Sequence, residues 1–242
     1  MDSSKIAFLE LKYGNIYGGY PNFYAISDIA LLVYEYGSNK IFIESWSNNA
    51  NVDIVSVYSK VNELGHTIGR AKEVINMRTR RRKPFREDFR LEERHLGMAF
   101  KMLRPTKMPI KSFLLKNFRK YGFQDIVVFD GRRDIFLCER TGVNFGRMNI
   151  IDLQKDLNKE TDYLFSLNKL AVVINYEQDR SYLRSNNLEY WLHPIAARQI
   201  VPKSAAYDAA RLMMVHNEYH QFHDDFLMKA ALILNKIQNN KV

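Results

Sequence analysis

The densest concentration of reactive side chains lies near the end of the chain, in His216-Asn-Glu-Tyr-His220-Gln-Phe-His223-Asp224-Asp225. Three of the six histidines fall there and run into two aspartates. Imidazole titrates near neutral pH, and carboxylates bind hard cations, so this segment has the chemistry of a site. The plainer alternative is the polar start of a surface helix. A second concentration is Arg78-Thr-Arg80-Arg81-Arg82-Lys83-Pro-Phe-Arg86, six cations in nine residues. Cations this close repel one another unless an anion neutralises them, which favours phosphate contact over a solvated loop.

Other arrangements carry less. His216 and His220 have the i, i+4 spacing of a zinc-protease helix, but Glu218 falls one position late for that motif. The segment Tyr13 to Gly19 is glycine-rich without the lysine or the spacing of a phosphate loop. The single cysteine, Cys138, excludes an internal disulfide and a cysteine-based zinc site, and its apolar neighbours read as a buried thiol.

These residues need elements to position them. Lys5 to Lys12, Ile26 to Tyr36 and Lys40 to Trp46 read as strands, with Gly37-Ser-Asn39 as a hairpin turn and a turn-rich loop from Tyr13-Gly14 through Gly18-Gly19-Tyr20-Pro21. Asp125 to Asp130 is a short apolar strand of the kind buried in mid-sheet, and Gly131 turns it into a helix; Met148 to Leu153 is a fifth strand. Between Pro105, Pro109 and the stop at Gly122, Ile110 to Tyr121 is an amphipathic helix. Helices follow around Leu164–Ile174 and Ser204–Val215. A final one carries Phe222, Phe226, Ala230, Ile233, Leu234 and Ile237 at three- and four-residue steps. Val52 to Met77 shows a mixed pattern, and Tyr176 to Pro202 reads as irregular. The order predicts one α/β domain over 1–242, with a mixed sheet and a basic insertion around 76–108.

With 46% hydrophobic and 26% charged residues, the balance is that of a globular chain. The net charge of +9 favours a polyanionic partner, nucleic acid ahead of a membrane surface. The first residues do not read as a signal peptide and no apolar run reaches membrane-spanning length, which predicts a cytoplasmic protein.

An apolar strand ending in Glu10-Leu-Lys12, a second strand turning through Gly131 into Asp134, and His220 with Asp225 five residues later stand in a known order. The chain resembles the DnaQ-like 3′-5′ exonucleases of the DEDDh group. The resemblance implies a ribonuclease H-like mixed five-stranded sheet flanked by helices. It further implies His220 as general base, and Glu10, Asp134 and Asp225 as catalytic ligands to Mg2+ or Mn2+ in a two-metal phosphodiesterase site. The first motif departs from the pattern in one of two ways. Either Glu10 replaces an aspartate and Lys12 the second acid, or, with the alignment shifted, Glu10 is the second acid and Phe8 replaces the first; either way one of four carboxylates is missing. The Lys12 ammonium would take the cation's place and pair with Asp225 or Asp134. The implied function is therefore nucleic-acid binding with a degenerate site of weak or absent activity; an active exonuclease on single-stranded DNA or RNA is the alternative. The implied partners are single strands or 3′ ends, bound through Arg78, Arg80, Arg81, Arg82, Lys83 and Arg86, with a protein partner also open. Tyr13, Tyr17, Tyr20 and Tyr24 would lie near such a cleft, where their rings can stack on bases.

Overall fold

The chain is organised on its first strand, β1 (Lys5–Ile16). A computed structural model describes residues 5–20 and 23–239, apart from the side chain of Gln238; Pro21 of the expected loop lies outside the described residues. Ile6 and Phe8 enter one apolar layer while Ala7, Leu9 and Leu11 enter another, so β1 is buried on both faces. It pairs antiparallel with β2 (Tyr24–Glu35), and β2 pairs antiparallel with β3 (Lys40–Ser47). In the turn between β2 and β3, Asn39 adopts φ 52°, a left-handed conformation that asparagine tolerates.

The strand does not stop at Lys12. It runs on to Ile16 because a second hairpin crosses it there: Asn15 and Ile16 pair with Val55 and Ile54 of β4 (Asp53–Val61). A Cβ on Gly14 would sit 2.3 Å from the Val55 carbonyl oxygen, so the crossing requires glycine, which a sequence reading takes for a loop. Strand β4 pairs with β5 (Thr67–Asn76), and β5 with the short edge strand β6 (Arg82–Pro84). Both β4 and β5 lie in the span that shows only a mixed pattern. From Val57 to Val61, β4 is exposed at every residue, so no apolar alternation marks it.

Six strands in the order β3-β2-β1-β4-β5-β6 make one antiparallel path that curls into half a barrel. Two short strands, β7 (Asp125–Val128) and β8 (Asn149–Asp152), join at the side, β7 parallel to Ile6–Phe8 of β1 and β8 parallel to β7. This corrects the expected ribonuclease H-like mixed five-stranded sheet. The body of the sheet is six antiparallel strands with the helices following, an α+β arrangement.

After β6 come α1 (Glu93–Leu103), one 3-10 turn at Arg104–Thr106, and α2 (Lys107–Tyr121). Pro105 has no N–H to donate, which interrupts the i→i−4 ladder at that turn, whereas Pro109 falls in the first turn of α2. Gly122 ends α2 at φ 66°. Next are α3 (Arg132–Glu139), α4 (Leu153–Thr161) and α5 (Leu167–Val173). The stretch read as irregular holds a small antiparallel sheet of β9 (Glu177–Gln178), β10 (Tyr182–Arg184) and β11 (Glu189–Trp191), then α6 (Pro194–Ala197). Two long helices, α7 (Ala205–Gln221) and α8 (His223–Asn239), close the described chain.

Helices α2 and α3 cover the sheet face that holds Leu9 and Leu31; α4, α5, α7 and α8 cover the face that holds Phe8 and Leu32. Ala205, Ala206, Ala209 and Ala210 are all buried on α7, and such small side chains let that helix lie close to the sheet. Among the described residues no helix is long and apolar enough to cross a membrane.

Candidate functional site

The sheet forks along one edge of β1. Pairing with β7 ends at Phe8 and pairing with β4 begins at Asn15, so among the described residues the intervening edge of β1 has no strand beside it on that side. A buried N–H there needs another acceptor. The Asp134 carboxylate supplies it by accepting from the Leu11 backbone N–H. Gly131 makes this possible: a Cβ at that position would meet the Val128 side chain at 2.3 Å, so glycine allows the tight turn that opens α3 beside the fork.

Glu10 lies next to Asp134, and both are over nine-tenths buried by residue surface. Burial pushes the Glu10 carboxyl well up, and the nearby Asp134 and Asp208 add to the effect, against the opposing pull of Lys12 and Arg211. Burial likewise raises Asp134 to about 7, although the Leu11 N–H and the Lys12 charge act in the other direction. Lys12 makes a short ion pair with Asp208 of α7. Arg211, one turn on, donates to the other Asp208 oxygen at 2.7 Å and to Asn168 Oδ1 at 2.8 Å. Two cations thus hold one carboxylate, and burial raises the pKa of two further carboxyls. On the rim, the Arg133 guanidinium lies 4.7 Å from the Tyr24 ring centre, and Tyr13 meets Tyr24 edge-on at 5.6 Å.

The structure brings Glu10 and Asp134 together but leaves His220 and Asp225 elsewhere. His220 is twelve positions beyond Asp208 on α7, about 18 Å along the helix. Burial lowers its pKa, and the acids facing it are Asp156 and Glu160. Asp225 accepts from Lys229 at 2.5 Å and from Asn187 at 2.8 Å. Lys12 pairs with Asp208, neither with Asp225 nor with Asp134. His216 is buried edge-on against Phe8 at 5.3 Å and is pressed down to about 4, so it is neutral and part of the core. Its neighbour Glu218 accepts from Ser185 Oγ, Asn187 N and Asn187 Nδ2, fastening the small sheet to α7. The histidine-rich segment is thus an anchor between elements.

These positions do not fit the Mg2+ or Mn2+ pair implied by the resemblance. Asp225 is absent from the cluster and Asp208 is held by two cations, which leaves only Glu10 and Asp134 side by side. Among the described residues, no three His, Cys, Asp or Glu side chains are grouped to hold a metal ion. Asp208 and Arg211 have no place in the sequence reading. Their one signal is an acid–base pair at i, i+3 among alanines, common on any helix.

Most of the basic run is already paired. Arg80 bonds Asp28 at 2.9 Å, Arg82 bonds Glu73 at 2.7 Å, Lys83 bonds Asp53 at 2.6 Å and Arg86 bonds Asp88 at 3.0 Å. Arg78 and Arg81 make no ion pair among the described residues. A larger unpaired set lies on the next two helices. From His95 to Gln124 the chain carries Lys101, Arg104, Lys107, Lys111, Lys116, Arg119 and Lys120 and no Asp or Glu. Only Lys120 of these is ion-paired among the described residues, to Glu44 at 2.6 Å. The buried positions of α2, Ile110, Leu114, Asn117 and Tyr121, keep to one side, which leaves the cations on the outside.

No family model matches the chain, and no curated protein does. Among solved structures, one similar chain is a crystal structure of a full-length 3′-exonuclease, at 10% identity and a TM-score of 0.41. The match covers 91% of this chain and 62% of that one. The body of six antiparallel strands, curled into half a barrel, removes the assignment to the DnaQ-like group.

Proposed function

We propose that this protein binds single-stranded nucleic acid along the outer side of α1 and α2, and that the Lys12 cluster is a structural clasp with no part in metal-dependent cleavage. The observation that carries the reading is the thirty-residue stretch His95–Gln124 with its seven cations and no acid. Phosphate contact by lysine and arginine supplies the sequence-independent part of nucleic-acid affinity, and it needs cations that are not already neutralised. Met98, Met102 and Met108 are exposed among them, and such adaptable apolar side chains suit unstacked bases better than the closed edge of a duplex. The clasp reading is supported by Asp208, whose two oxygens are taken by Lys12 and Arg211.

The test is fluorescence anisotropy with short labelled DNA and RNA strands, set beside sedimentation with anionic and neutral vesicles. The expected result is strand binding that weakens steeply with salt, with vesicles bound less well. Binding to anionic vesicles alone, or no strand binding at low salt, would overturn the assignment. Magnesium should leave the strand intact. Digestion that is abolished by Asp134→Asn would show that the cluster is a catalytic centre.

A further inference from the structure

Between α1 and the crossing of β1 with β4 lies a cleft of about 290 Å3, just below the roughly 300–1,000 Å3 of drug-sized ligand sites. It is distinct from the fork: neither Glu10 nor Asp134 lines it. One wall is the stacked pair Tyr17 and Phe89, with ring centres 4.5 Å apart and planes inclined by 16°. Ala99 keeps the α1 side shallow, and Met98 and Met102 flank the opening, exposed by 52% and 43%. At the other rim Asn76 Nδ2 donates to Asn51 Oδ1 at 3.0 Å and to Asp53 Oδ1 at 2.8 Å, and Lys83 neutralises Asp53. Asn51 is left with both N–H donors and one oxygen lone pair, a set that can bond two neighbouring atoms on a base edge. His95 stands on the same rim.

We infer that this cleft takes one unstacked nucleobase. The inference rests on the single-strand reading above and names where that strand places a base. Apolar walls and a planar aromatic pair suit a flat ring, and the Asn51 amide can hydrogen-bond its edge. The cations needed for the adjoining phosphates are close in the chain: α1 leads from the methionines directly to Lys101 and Arg104. A bound base should contribute about tenfold or more to affinity, the scale of one base contact in single-strand binders.

Free adenosine and uridine are the probes, because an uncharged nucleoside needs none of the phosphate-binding cations. Saturation-transfer NMR should show base protons of at least one of them in contact with the parent protein. The signal should fall several-fold in Asn51→Ala/His95→Ala, which alters exposed side chains, and in Ala99→Leu, which fills the cleft. The parallel arm compares a labelled strand with the same strand carrying one abasic position, with about tenfold weaker binding expected from the abasic strand. Nucleoside contact without strand binding would support the cleft and remove the phosphate strip. Strand binding with no saturation of either nucleoside, or saturation unchanged in both variants, would overturn the cleft and leave the strip standing.

Discussion

Asp134 is a residue at which burial restrains a charge. Its carboxyl is raised from 3.8 to about 7, so between those values the folded protein keeps a proton that the unfolded chain has released. Stability from this group is present at low pH and is lost as pH rises toward 7, by up to about 4 kcal/mol. His216 has the opposite sign. Lowered from 6.5 to about 4, it stays neutral while the unfolded chain takes up a proton, so its share is lost as pH falls below 6.5. The two slopes overlap, which makes the difference between parent and Asp134→Asn the informative quantity. Urea unfolding at about pH 4 and about pH 8 should show the variant gaining on the parent as pH rises. A difference independent of pH would mean that Asp134 is ionised throughout. Asp208→Asn should cost about 3 kcal/mol, the low end for breaking a buried pair, because Arg211 is enclosed but Lys12 reaches solvent. An unchanged urea midpoint would remove the clasp. In the sequence, Asp134 stands out because it follows an apolar strand that turns through Gly131, and Glu10 because it is an acid in an otherwise apolar strand, though that strand runs past it to Ile16. Asp208 does not, since only the approach of α7 to β1 distinguishes it from an acid on any helix.

At the level of elements, β1 carries the architecture, and its crossing with β4 is held open by one missing side chain. Gly14→Ala would set a methyl 2.3 Å from the Val55 carbonyl oxygen, so β1 and β4 must separate. A loss of about 1–3 kcal/mol is expected, of the size seen when well-packed sites are overfilled, with faster amide exchange in β4. Gly122→Ala is the comparison. That site is open space, and its φ of 66° leaves only backbone strain of about 1–2 kcal/mol, so β4 exchange should not respond. Accelerated β4 exchange in both variants would deny the crossing its specific role. The first three strands were readable because apolar residues and turn chemistry mark them. The outer part of the β4–β5 hairpin buries little, so hydrophobic periodicity could not reveal it, and the sheet's true extent went unseen with it. The short strands β9 to β11 have two or three residues each, too few for any period to show.

Over the whole molecule, an excess of nine positive charges says that an anion is favoured but not where it binds. Density of cations along the sequence points to Arg78–Arg86, whereas the folded chain spends four of those charges on Asp28, Glu73, Asp53 and Asp88. The stretch from Lys101 to Lys120 is less dense but contains no acid and has one ion pair among the described residues. These two layouts make opposite predictions for mutation. Replacing Lys107, Lys111, Lys116 and Arg119 with alanine removes cations that are free to meet phosphate. Affinity for a single strand should fall, and the slope of log affinity against log salt should flatten by up to about 3, at roughly 0.7 for each phosphate no longer neutralised. Thermal stability should change little, because none of the four is ion-paired among the described residues and Glu44, which Lys116 faces, keeps Lys120. Replacing Arg80, Arg82 and Lys83 instead leaves Asp28, Glu73 and Asp53 without their counter-ions. That variant should lose stability by a modest amount, since the pairs are partly exposed, and its salt slope should fall by less than about 1. If the second variant flattens the slope more than the first, strands bind at the basic run by displacing its internal partners, and α1 and α2 are not the binding surface.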